Sequence, residues 1–135
     1  MDSQAGSVSK VDCLFTFRGG GQAKVALYRH LSPLSVNALM RILPVDSRVN
    51  VQPGMRCLIT PLAVGVEKPR TSFSRGDVAL LAAGGLICVF VQEARSDRPL
   101  NPLGKVEDGL GLFDATKIGE SVRLALAPQA PPPQG

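Results

Sequence analysis

A chain of 135 residues, 44% of them hydrophobic, is long enough to bury the core of one domain without disulfides or a structural metal. Tryptophan is absent and aromatics make up 4%, so that core has to be built from Val, Leu, Ile and Ala. The net charge of +4 is mild and the arginines are scattered (Arg18, Arg29, Arg41, Arg48, Arg56, Arg70, Arg75, Arg95, Arg98), with no run of the kind that marks a nucleic-acid arm; a nucleic-acid partner is not expected.

In chain order, residues 1–9 are small and polar and read as a flexible N-terminal segment. Residues 10–18 alternate and are rich in β-branched and aromatic types, which predicts a strand. Gly19-Gly20-Gly21 turns the chain, and residues 22–29 return as the hairpin partner. The glycine triplet is no phosphate loop, because it joins strand to strand and no Lys-Ser/Thr or helix follows it. Residues 33–43 form the one clear helix. Ser32 is placed to accept from the first amides, Pro33 suits the opening turn, Val36, Leu39, Ile42 and Leu43 make one apolar face, and Pro44 stops it. Such a helix covers an open end of a sheet.

Strands are predicted over 48–52, 56–62, 77–81 and 86–92, with Gly84-Gly85 as the tight turn between the last two. Residues 67–72 read as a polar loop. A short strand over 103–107, a helical turn over 112–117 and a closing strand over 121–127 complete the domain, which spans 10–127. The Pro-rich residues 128–135 read as a disordered, solvated tail. Many short antiparallel strands with one main helix predict a mainly β fold, a closed antiparallel barrel capped by that helix.

Cys13, Cys57 and Cys88 each sit inside an apolar run and read as small buried hydrophobes. There is no CxxC, and a lone histidine, His30, cannot build a zinc site with such distant thiols, so neither a metal nor a cofactor is expected. The longest apolar run, 78–91, is too short for a membrane helix. The polar first ten residues do not resemble a signal peptide, and a reduced cytoplasmic location is the expectation.

Four segments carry a family resemblance: Gly21-x-x-x-Val25-x-Leu27-Tyr28; Pro33-Leu34-Ser35-Val36-x-Ala38-Leu39 with Leu43-Pro44; Gly76-Asp77-Val78 followed by Cys88-Val89-Phe90-Val91; and Asn101-x-x-Gly104-Lys105-Val106. In this order and spacing, residues 11–127 resemble the compact prokaryotic cyclophilin-like proteins. That resemblance implies an apolar proline pocket and an arginine that hydrogen-bonds the peptide. Such an arginine favours the twisted X–Pro amide over the planar one, without covalent chemistry. Arg56 is the candidate arginine, against the plainer reading of a surface arginine on an alternating strand. Phe90 is the candidate pocket aromatic, against a core aromatic, and Phe73 either lines the groove or anchors its loop.

The sequence departs from the family where activity resides. Arg75-Gly76-Asp77 keeps only Gly-Asp of the family's Gln-Gly-Gly-Asp, and residues 91–103 hold neither the tryptophan nor the histidine of active cyclophilins. The expected function is therefore a non-catalytic module that binds a peptide or small anionic ligand, with Arg70, Arg75, Arg95 and Arg98 able to meet a carboxylate or phosphate beside Phe73 and Phe90. The alternative is a weak or divergent peptidyl-prolyl isomerase using Arg56. Hydrolysis is not expected: no Ser-His-acid or Cys-His arrangement is present, and Glu107 and Asp108, adjacent in a strand, point to opposite faces. The sequence does not fix the oligomeric state.

Overall fold

The computed structural model describes residues 9–128. The expected flexible N-terminal segment (beyond Ser9) and the Pro-rich tail (beyond Pro128) lie outside them. In chain order the elements are β1 (Lys10–Phe17), β2 (Gln22–Tyr28), α1 (Pro33–Ile42), β3 (Val45–Gln52), β4 (Met55–Ile59), β5 (Arg70–Phe73), β6 (Asp77–Leu81), a 3-10 turn (Ala82–Gly84), β7 (Leu86–Phe90), β8 (Ala94–Asp108), α2 (Leu110–Ala115) and β9 (Ser121–Leu126).

Eight strands close into an antiparallel barrel in the order β2-β1-β9-β3-β4-β7-β6-β8, with β8 returning to β2. The strands alternate as a barrel wall requires. On β1, Val11, Cys13, Phe15 and Phe17 are buried while Asp12, Thr16 and Lys10 face outward. Side chains from all eight strands fill the interior, including Val25, Leu27, Val49, Leu58, Leu80, Val89, Leu103 and Leu124. The barrel therefore has a packed core, and any ligand site has to lie on its outside or rim.

The closing seam depends on Gly104. A Cβ there would stand 1.8 Å from the Ala26 carbonyl oxygen, so only glycine lets β8 lie against β2 with Leu27 opposite Gly104. At the other end of β2 the hairpin turns through Gly20 and Gly21, both at positive φ (114° and 95°).

The helices close the two ends. Helix α1 buries Val36 and Leu39 in the core beyond the Tyr28 end of β2, where Arg29 Nε donates to Asn37 Oδ1 at 3.0 Å. Helix α2 lies at the Gln22 end and inserts Phe113 edge-on to Phe15 and Phe17, with ring centroids 5.1 and 5.0 Å apart.

Four expectations are corrected. Ser32 does not cap α1 through its side chain: its hydroxyl is buried with no hydrogen-bond partner among the described residues. Glu67, from the distant 60–69 connection, takes the exposed amides instead, accepting from Leu34 N at 2.9 Å, Ser35 N at 2.6 Å and Ser35 Oγ at 2.7 Å. The loop expected at 67–72 contains most of β5, a ninth strand that pairs with β8 through Arg70–Leu100, Ser72–Arg95 and Phe73–Ala94. β8 begins at Ala94, well before the expected strand at 103; Pro102 fits because the β6–β8 register is irregular between Val78 and Ala79. Gly84 and Gly85 do not form a tight two-residue turn; the chain makes a 3-10 turn and leaves it through Gly85 at φ 64°.

Candidate functional site

β5 and the first half of β8 form a two-stranded flap against the outside of the barrel wall. Phe73 and Leu100 from the flap bury Cys57, Ala79, Cys88 and Phe90 from the wall beneath them. Phe73 and Phe90 stack at 4.6 Å with 16° between their planes, and the Arg70 guanidinium lies 5.1 Å from the centre of the Phe73 ring. Arg70, Phe73 and Phe90 are thus brought together, as a stack running from solvent into the layer under the flap.

Arg56 is not part of that stack. It stands opposite Val89 on β7, whereas Phe90 stands opposite Met55, so the one-residue offset puts the two side chains on opposite faces of the wall. Arg56 faces the barrel end closed by α2, where Nε donates to the Phe113 carbonyl at 3.0 Å and Nη1 to the Met55 carbonyl at 3.1 Å. Its position holds α2 in place as the plug of that end.

The other arginines separate. Arg75 forms a two-pronged ion pair with Asp114 of α2, at 2.9 and 2.7 Å, and also donates to the Val91 carbonyl. The hydrogen bond from Arg75 holds the Asp114 carboxyl below its ordinary pKa. Arg95 and Arg98 are exposed on the β8 half of the flap, where the Arg98 amide donates to Ser96 Oγ at 3.1 Å.

The concavity beside the flap has a cavity volume of about 320 Å3. Arg70 stands on one side. Tyr28 and His30, from the end of β2 and the turn into α1, stand on another, with their rings 5.5 Å apart. Pro102, Gly104 and Lys105 of β8 and Asp77 of β6 complete it. Asp77 is 8% exposed, and its Oδ2 accepts from Ser74 N at 2.8 Å, so this carboxylate is already engaged in the turn that precedes β6. The lining thus offers two basic side chains, Arg70 and Lys105, with imidazole and phenol groups beside them, and one carboxylate tied to backbone. Such a lining suits a small anion that carries an apolar or planar body.

A second hollow, about 510 Å3, lies on the outer faces of β1, β3 and β9 and includes Arg18, Arg48, Arg123 and Asp46. It is larger but more open, and Arg123 is paired with Asp46 through bonds of 2.8 and 2.9 Å. Among the described residues no group of three or more His, Cys, Asp or Glu side chains is arranged to hold a metal, and no helix is long and apolar enough to cross a membrane.

Sequence reasoning selects Arg70 but not Tyr28, Lys105 or Asp77, and considers His30 only as a zinc ligand, which it rejects. The signal that unites them is the barrel seam. Pairing Leu27 with Gly104 puts the Tyr28-Arg29-His30 segment beside Gly104-Lys105, although 74 residues separate His30 from Gly104.

Solved structures support the architecture. The hypothetical protein AF2241 from Archaeoglobus fulgidus, known from a solution structure, superposes with a TM-score of 0.76 at 26% identity, covering 88% of this chain and 96% of that one. McbB, solved in complex with tryptophan, superposes with a TM-score of 0.71 at 17% identity over 90% of this chain. The match spans 46% of McbB, so the likeness to it is one of fold alone. No protein-family model matches the chain, and neither does any curated protein.

Proposed function

We propose that this barrel is a non-catalytic binding module, of the cyclophilin-like type and resident in a reducing cytoplasmic compartment, that receives a small anionic ligand or a peptide carboxylate in the cleft beside the flap. The observation that carries the reading is the convergence of Arg70, Lys105 and His30 on a concavity walled by Tyr28 and Pro102. In it, the carboxylate or phosphate lies between Arg70 and Lys105, where charge-assisted bonds are strong and directional, and the body of the ligand lies against Tyr28 and Pro102. The three free, buried thiols suit a reducing compartment. The isomerase alternative draws no support from Arg56, which is engaged with the Phe113 carbonyl on the far side of the wall from Phe90.

Titration calorimetry with phosphate, acetate and tryptophan tests the reading; tryptophan is included because McbB, of the same fold, was solved with it. The expected result is binding by at least one of them that falls about tenfold or more with Arg70→Ala or Lys105→Ala and weakens as salt rises. Binding that ignores both substitutions, or no binding by any of the three, would count against the cleft.

A further inference from the structure

Cys57 and Cys88 are direct partners across β4 and β7, with their sulfurs 3.4 Å apart. Their place in the ladder follows from the flanking bonds. Val91 N donates to Gly54 O at 3.0 Å and Thr60 N donates to Gly85 O at 2.9 Å, which puts the hydrogen-bonded pairs at residues 54, 56, 58 and 60. Cys57–Cys88 is therefore a non-hydrogen-bonded pair, the type whose Cα atoms stand about 4.5 Å apart and whose side chains approach most closely. That spacing falls inside the roughly 4.4–6.8 Å that a disulfide spans. Only the sulfurs have to move, from 3.4 Å to about 2.0 Å.

We propose that Cys57 and Cys88 are a dithiol site that a peroxide converts to an intrachain disulfide and a dithiol reductant restores. In the first step the Cys57 thiolate attacks a peroxide oxygen, the O–O bond breaks, and Cys57 becomes a sulfenic acid with release of one water from hydrogen peroxide. In the second, the Cys88 sulfur attacks the Cys57 sulfur, the S–O bond breaks, and a second water leaves with the Cys88 proton. Two thiols lose two electrons and two protons, and the peroxide takes up both.

The surroundings favour Cys57 as the attacking group. The hydrogen bond with Cys88 lowers its pKa against the effect of burial, and nearby Arg56 acts in the same direction, whereas Cys88 is pushed far up by that same hydrogen bond and by burial. Cys13 has no such help: burial pushes it up to about 12 on the inward face of β1. The pair is 1% and 3% exposed beneath Phe73, Phe90 and Leu100, so the oxidant has to be small or to enter when the flap lifts. Among the described residues β5 pairs with β8 alone, which makes the flap the part of this wall that opens at least cost.

The test treats the reduced, folded chain with hydrogen peroxide, then denatures it, labels it with N-ethylmaleimide and measures intact mass and peptides. The expected result is a fall from three labels to one, on Cys13, with a Cys57–Cys88 linked peptide that dithiothreitol abolishes. In Cys88→Ser, Cys57 is expected to proceed to sulfenic and higher acids with no intrachain link. The proposal is overturned if the parent chain keeps all three labels, loses label without a linked peptide, or links through Cys13 or between chains.

Discussion

Glu67 reaches α1 from a connection 32 residues away from Ser35, and its removal gives the sharpest test of how this fold is held. Glu67→Ala deletes three hydrogen bonds to the start of the helix, each charge-assisted. Summing them at roughly 1.5–3 kcal/mol apiece would overstate the loss. The Leu34 amide is exposed and gains water, and Ser35 Oγ keeps the Asn101 Nδ2 donor at 3.0 Å. What remains is the Ser35 amide and the loss of a cap, together about 2 kcal/mol. With a urea slope of about 1.5 kcal/mol/M for a domain of this size, the unfolding midpoint should fall by about 1.3 M. Ser32→Ala removes a buried hydroxyl that has no partner among the described residues and should cost under about 0.5 kcal/mol, where a true N-cap would cost about 1. If Ser32→Ala proves costly and Glu67→Ala harmless, the cap is where local sequence puts it and the long-range account is wrong.

The same carboxylate makes stability depend on pH. Burial raises the Glu67 pKa, but the bonds from Ser35 Oγ, Leu34 N and Ser35 N outweigh it and leave the pKa lowered. Its contribution is therefore complete above the unfolded value of about 4.3 and is lost as pH falls through the folded one; denaturant midpoints measured from pH 6 to 3 should decline more steeply for the parent than for Glu67→Gln. Gly104→Ala brings a methyl group into the Ala26 carbonyl and forces the seam apart, at a cost of about 3 kcal/mol or more, read as a lower melting temperature or insoluble protein. Phe113→Ala empties the α2 plug between Phe15 and Phe17 and should cost about 3–5 kcal/mol by the same denaturation assay. Arg56→Ala should cost about 1 kcal/mol through its bond to the Phe113 carbonyl and leave affinity for the cleft ligand unchanged in calorimetry.

The barrel was legible because alternation, glycine turns and one amphipathic helix stopped by a proline are local signals. Lys10–Phe17 carries the alternation and Asp77–Leu81 is a short apolar run opened by Gly76, and the two strands lie within a residue of expectation. β5 escaped notice because Arg-Thr-Ser-Phe has one buried residue and derives its strand geometry from β8. The early part of β8 was hidden by Pro99 and Pro102, which a central strand rejects but an arm with an irregular register accepts. The cap on α1 is long-range, so no reading of the residues around Ser32 could reveal Glu67. The cleft was half visible for a related reason. Arg70 stood out as a cation near Phe73, but Tyr28, His30 and Lys105 join it only when the barrel closes through Gly104. The separation of Arg56 from Phe90 turned on which neighbours each faces across the β4–β7 ladder, a register that composition does not specify.

The measurement that bears most directly on the binding reading is an amide chemical-shift titration of the folded chain with phosphate and with tryptophan. The account predicts saturable shifts concentrated at Tyr28, His30, Arg70, Gly104 and Lys105, lost in Arg70→Ala. Shifts centred on Arg18, Arg48 and Arg123, or none that saturate, would contradict it.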